Sequence, residues 1–379
     1  MLKFALGTYE EWVQLSLIGI KRGWVALAVM PVLMTPMARA QSCMTQAKMS
    51  TEDYAALSEA ALGLATAVKA GDTARVETLS SADVAGNFAP TGFLVRSTAD
   101  KIGNEPLHVT QVYELDGSKR MVNDPSVAEF VCPLVGTTSE TDFAIPGLPP
   151  GIYGFAMVEA GGGPRPTLPL GTEGGVPGVS KAPDATNGGV RPWLLAFVLR
   201  RDAGVWKLAG FSAHARSAAG HEGGWYWTKA RERAAAKENW AAWVLFGEAH
   251  DLLRPANFVT STNLDKLLAE QRAVAPPELA DGIGSANPMV LKGVGGAEYR
   301  FTAIAAEGSD DGQRLNLMLH VSADSVSDTA AAKAFNLAAA KALLDAHKEL
   351  RQGFDGVWVF AEGPGHGPFA TEMKIGEIP

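Results

Sequence analysis

The chain holds two cysteines in 379 residues, Cys43 and Cys132, so a zinc site built from cysteine alone is excluded. It also lacks any cluster of lysine and arginine. Its formal charge is −8, and the first forty residues carry Lys3, Lys21, Arg22 and Arg39 against Glu10 and Glu11, leaving the remainder near −10. That balance argues against non-specific binding to nucleic acid or anionic lipid, which needs clustered cations. Several catalytic signatures are missing as well. There is no His-Glu-x-x-His pair, and Glu222 is followed by Gly-Gly-Trp. Gly210-Phe211-Ser212-Ala213-His214 lacks the second glycine of a nucleophile elbow, and neither Gly161-Gly162-Gly163 nor Gly293-Val294-Gly295-Gly296 leads into Lys-Ser/Thr. Neither a metal nor a cofactor is expected.

Long apolar runs are confined to the N-terminus. Lys21 and Arg22 precede the apolar stretch Gly23–Met34, and Ala38-Arg39-Ala40 precedes Gln41. Charge, apolar core and small-x-small site in that order predict a secretory signal peptide cleaved after Ala40. A membrane anchor needs ~20 uninterrupted apolar residues, and the basic pair divides the run. The expectation is an exported chain, periplasmic or secreted, starting at Gln41. Residues 1–20 have no assigned role. In an oxidising compartment Cys43 and Cys132 read as a disulfide, with two free thiols as the alternative.

With 47% apolar and 20% charged residues, a core is assured, and the length suggests two domains. Ser50-Thr51-Glu52-Asp53 has capping-box spacing, and Tyr54, Leu57, Ala61, Leu64 and Val68 follow as one helical stripe. Gly71 ends it, and Asp72 starts a second helix to about Ser80. The period then changes. Leu107–Leu115, Ser126–Pro133 and Gly151–Glu159 read as strands, and Trp193–Arg200 with Val205–Ala213 as a hairpin joined by the turn Arg201-Asp202-Ala203-Gly204, with Gly where a positive φ is expected. Between them, 161–192 is dominated by Gly and Pro. It reads as a mobile surface loop inside one domain, an interdomain linker being the alternative.

Helices against antiparallel strands make an α+β layout. The long helix, Lys69-Ala70-Gly71-Asp72-Thr73-Ala74 and the closing strand Gly204-Val205-Trp206-Lys207-Leu208-Ala209-Gly210-Phe211 resemble the NTF2-like (SnoaL-like) superfamily over about 51–215. That resemblance implies a cone of helices on a curved antiparallel sheet enclosing a pocket, where some relatives use an Asp/His acid–base pair. On the strands of this chain the ionisable candidates are Glu129, Glu159 and His214.

Two further helices are expected, one to about Ala236 and one from Asn239 to Leu253. The Ala242, Phe246, Ala249, Leu253 stripe with Pro255 behind it is similar to the second helix of a tetratricopeptide hairpin; one copy makes a connector over 216–280, not an array. A separate α+β domain is expected over 281–379. Tyr299, Phe301, Ala303 and Ala305 alternate with Glu298, Arg300, Thr302 and Ile304. So do Leu315, Leu317, Leu319 and Val321 against Arg314, Asn316, Met318 and His320. A helix begins at Ser327/Asp328, with strands over Gly356–Ala361 and Phe369–Ile375. The predicted domains are thus 41–215, 216–280 and 281–379.

Trp225-Tyr226-Trp227 is the one unusual aromatic concentration. With His214 it is the candidate ligand site, a stacking platform for a ring such as a sugar, or alternatively plain packing. The expected role is a non-catalytic module binding a small molecule or a protein. An NTF2-like pocket enzyme of isomerase, cyclase or hydrolase type is the alternative.

Overall fold

The computed structural model describes residues 41–121, 124–133, 138–161, 191–309 and 311–379. Residues 1–40, where a signal peptide was expected, and most of the Gly/Pro-rich stretch (162–190) lie outside the described residues.

The architecture is mixed α+β, as expected, and begins with a strand. After β1 (Gln41–Thr45), α1 (Thr51–Lys69) starts where the capping box falls, Ser50 Oγ accepting from the Asp53 N–H at 3.0 Å. Gly71 closes it at φ +65°, and Asp72 caps α2 (Thr73–Thr78) through the Arg75 N–H. Three described helices went unrecognised from the sequence: α3 (Ala82–Ala85), α4 (Ala89–Ile102) and, further along the chain, α7 (Thr262–Ala273). The buried stripe of α4 is Gly92, Val95, Thr98 and Ile102. Glycine and threonine occupy half of it, so its apolar period is faint.

The strands β2 (Leu107–Asp116), β3 (Val127–Pro133), β4 (Glu140–Pro146), β5 (Ile152–Ala160), β6 (Trp193–Asp202), β7 (Val205–Ala215) and β10 (Val259–Ser261) complete a curled eight-stranded sheet. Its order is β10-β4-β3-β1-β2-β5-β6-β7. The β6–β7 hairpin turns on Ala203 (φ +50°) and Gly204 (φ +83°), the paired left-handed residues that match strand twist. Every pairing is antiparallel except β1–β3. That parallel register sets Ser42 opposite Val131, so Cys43 meets Cys132, and the two form a disulfide with Cα atoms 5.1 Å apart.

Both faces of this sheet are filled. On one, Leu57, Leu64 and Val68 of α1 with Val95 and Ile102 of α4 pack on Val112, Val158, Phe197, Leu199 and Leu208. Approach is close: a Cβ on Gly154 would sit 2.4 Å from Leu57 Cδ1, so β5 carries glycine there. On the other face the curl brings Phe130 and Phe143 together with Phe155, Ala196 and Val198, closed by Ala256 and Val259.

A short hairpin, β8 (Ser217–Ala218) and β9 (His221–Glu222), leads into α5 (Gly223–Ala235), α6 (Asn239–Leu253) and α7 (Thr262–Ala273). The last sheet has the order β11 (Met289–Lys292), β12 (Glu298–Gly308), β13 (Leu315–Ser322), β14 (Gly356–Glu362), β15 (Phe369–Lys374). The helix α8 (Thr329–Ala346) and the single turn α9 (Leu350–Gly353) join the parallel pair β13–β14. One core unites Trp240, Phe246 and Ala249 of α6 with Phe301, Leu317, Leu319 and Val359 of the sheet and Leu343 and Leu344 of α8. The α5–α6 hairpin therefore shares its core with the C-terminal sheet, while β10, just beyond it, belongs to the first. No described helix is long and apolar enough to cross a membrane.

Candidate functional site: a histidine–glutamate pair on the C-terminal sheet

The aromatic run on α5 is divided by helix geometry, because consecutive residues project about 100° apart and do not share a face. Tyr226 is fully buried and donates its hydroxyl to Ala218 O at 2.7 Å; burial pushes the phenol far above its usual range. Trp225 stacks on His221 at 3.8 Å and 4°, with Lys229 Nζ 5.6 Å from its ring centre. Trp227 donates Nε1–H to Glu270 at 2.8 Å beneath the Arg231 guanidinium, itself paired with Glu270. The structure thus joins Trp225 and Tyr226 edge to face at 5.0 Å around His221 and sends Trp227 to a different partner. His214 lies on β7, its pKa pushed down to about 4 by burial and then by Arg216.

The acid–base candidates of the first sheet do not converge. Register places His108, Glu159, Leu194 and His214 in one row across β2, β5, β6 and β7. Glu159 and His214 share a face but stand two strand spacings apart, ~10 Å, with Leu194 between them. Glu129 is exposed on β3, near Asp142, whose carboxyl is pushed up to about 6 by burial and then by Glu140, Asp265 and Glu129. These carboxylates gather charge of one sign around Asp142.

A second ionisable group is deeply buried on α6. Glu248 is 5% exposed, and its carboxyl is held well above the ordinary range by burial first, then by Asp251, against the opposing charge of Arg191. The folded chain therefore keeps a proton that the unfolded chain releases near the ordinary carboxylate pKa. That contribution to stability is full below about pH 4.5 and is lost as pH rises toward the folded value. His214 acts in the opposite sense, costing stability as pH falls from about 6.5 to about 4. Glu248→Gln, neutral at every pH, should flatten the alkaline side of the profile. Urea unfolding of both proteins at about pH 5 and about pH 8 checks this: the wild type should lose stability relative to the variant at the higher pH. Parallel profiles would refute it.

Among the described residues a close histidine–carboxylate contact lies on the C-terminal sheet, shorter than the 3.4 Å between His250 Nδ1 and Asp251 Oδ1. The β13 alternation sends Leu315, Leu317, Leu319 and Val321 into the core and Asn316, Met318, His320 and Ser322 to the other face. On β14 the same face carries Trp358, Phe360 and Glu362, opposite Met318, His320 and Ser322. His320 Nδ1 lies 2.5 Å from Glu362 Oε1, with 15% and 35% of the two side chains exposed. A bulge between Phe301 and Ala303 turns Thr302, whose hydroxyl reaches Glu362 Oε2 at 3.4 Å. The imidazole stacks on Phe360 at 4.9 Å and 16°, and Phe360 meets Trp358 at 6.2 Å.

This pair sits at the C-terminal ends of two parallel strands, where loops leave the sheet and side chains converge, the position ligands favour in open α/β sheets. Ala323 N–H donates to Glu362 O at 2.9 Å, and Gly363 lies against Val326, so the loops after β13 and β14 pack beside the pair. Chemically, a carboxylate that accepts a hydrogen bond from Nδ1–H orients the ring and leaves Nε2 to face outward partners. The order of groups is Thr302–Glu362–His320, with the carboxylate in the middle. A nucleophile triad needs the imidazole there, so Thr302 is not activated. The arrangement can hold a proton and offer an oriented hydrogen bond.

Sequence reasoning placed His320 on the polar side of its strand but could not pair it with a carboxylate 42 positions away. The crossover through α8 makes them neighbours. No protein-family model, curated protein or solved structure matches this chain.

Proposed function

We propose that this chain is an exported, non-catalytic binding protein, an NTF2-like (SnoaL-like) domain followed by an α+β domain. Its contact surface is the outer face of the C-terminal sheet around His320 and Glu362. The carrying observation is the order of the polar groups: an imidazole oriented by a carboxylate, backed by Phe360 and Trp358, with the nearby hydroxyl bonded to the carboxylate. The disulfide suits an oxidising compartment. The helix–sheet interior that would form an NTF2-like pocket is occupied by Leu57, Leu64, Val95 and Phe197, which weighs against pocket catalysis.

A second reading is supported by the same pair, which could serve as a general acid–base in an isomerase, cyclase or hydrolase. Amide chemical-shift mapping of the wild type against a panel of sugars, amino acids, nucleotides and short peptides separates the two. The binding reading expects shifts confined to residues 300–303, 318–322 and 358–362, weakened at least about fivefold, near 1 kcal/mol, in His320→Ala. Shifts centred on α1 and β6 instead would refute the placement. Turnover of a panel compound lost in Glu362→Gln would favour the enzyme.

A further inference from the structure

The strand β1 is the shortest route by which the first sheet could be opened. It is five residues long, yet it occupies the fourth of eight places and alone joins the β10-β4-β3 group to the β2-β5-β6-β7 group. Its described side chains contribute little apolar burial: Ser42 is exposed, Cys43 and Met44 are half-buried, and Thr45 is buried. Its pairing is four residues against β2 and two against β3. The covalent tie is the Cys43–Cys132 disulfide, which spans 89 positions and anchors β1 to the fully buried Cys132.

We infer that this disulfide is a redox latch on the central strand, and that a dithiol opens the sheet locally by releasing β1. The exposure of the two cysteines sets the direction of exchange. Half-buried Cys43 is the accessible sulfur, since Cys132 is sealed. A thiolate of the dithiol attacks Cys43 Sγ; Cys132 departs as thiolate and takes up a proton. The second thiol of the reagent then displaces the mixed disulfide, so two cysteine thiols form and the dithiol becomes its cyclic disulfide. With the tie broken, β1 is held only by its short ladders and the packing of Cys43, Met44 and Thr45.

The test is hydrogen exchange on the full mature chain, with and without dithiothreitol, and on Cys43→Ser without reductant. Reduction should speed exchange at residues 42–45 and in peptides covering 113–116 and 128–132 by at least about tenfold. Peptides covering β13 should be unchanged, and Cys43→Ser should reproduce the pattern without reductant. Unchanged exchange in 42–45 after complete reduction would overturn the latch. Equal acceleration in β13 would also overturn it, since that is cooperative unfolding, not local release.

Discussion

Replacing Phe155 by alanine should destabilise the first domain by ~3–5 kcal/mol, the largest single-residue effect expected in this chain. Phe155 is fully buried on β5, and its ring is the hub of the curled face. It meets Phe143 at 5.0 Å and 61°, Phe258 at 5.8 Å and 85°, and Tyr113 at 6.4 Å. Edge-to-face pairs add ~0.5–1.5 kcal/mol beyond area burial, so truncation loses pair energy as well as transfer energy. The interior is enclosed by strands on both sides of the curl, and the backbone cannot collapse into the space left. Phe155→Leu keeps most of the volume and should cost less than half as much. Equilibrium urea unfolding, read by near-ultraviolet circular dichroism, measures both. An alanine variant within ~1 kcal/mol of wild type would mean that this face is not a packed core.

The second large effect concerns one buried amide. Asn336, in the middle of α8, is fully buried, and its Nδ2 lies 3.1 Å from Val359 O, 3.1 Å from Phe369 O and 3.0 Å from Thr371 Oγ1. Two amide protons serve three acceptors, one of them shared. A single side chain thus ties the helix to β14 and to the edge strand β15. Asn336→Leu is close in volume but removes the donor, leaving buried carbonyls short of a partner, at a cost of ~2–3 kcal/mol. Asn336→Asp should be worse than leucine: it places a carboxylate against three acceptors, and a buried charge without a partner costs more than a missing hydrogen bond. Thermal unfolding of the two variants gives the order. An aspartate variant as stable as the leucine variant would show that water reaches this site.

Much of the fold was legible because the relevant signals are local. Ser50 and Asp72 cap the helices they were expected to cap, and the Ala203-Gly204 turn sits where the hairpin needed it. The alternation through Leu317 puts the expected face inward, but the one through Phe301 holds only that far: the bulge before Ala303 turns Ile304 and Ala306 into the core in place of Ala303 and Ala305. Two of the elements missed share a cause. β1 is only five residues long, and α4 fills its buried stripe partly with glycine and threonine, so neither carries enough period to declare itself. The candidate site was missed for a different reason. His320 and Glu362 belong to strands brought together by a crossover, and no local pattern encodes that distance. The Trp225–Trp227 run was open to two readings, a ligand platform or packing; in the fold Trp225 and Tyr226 meet around His221, and the helix sends Trp227 to Glu270 and Arg231.

The sequence by itself determined the α+β class, the acidic charge, the elements with strong period or caps, and the residue types available for chemistry. Composition and short-range stereochemistry suffice for those. Only the tertiary structure decided that β1 is central, that Cys43 meets Cys132, that Glu159 and His214 stand apart across Leu194, and that His320 meets Glu362. Each of these is a pairing between distant segments. Which strands pair is set by the best joint burial of many apolar faces, a property of the whole chain and of no single stretch of it.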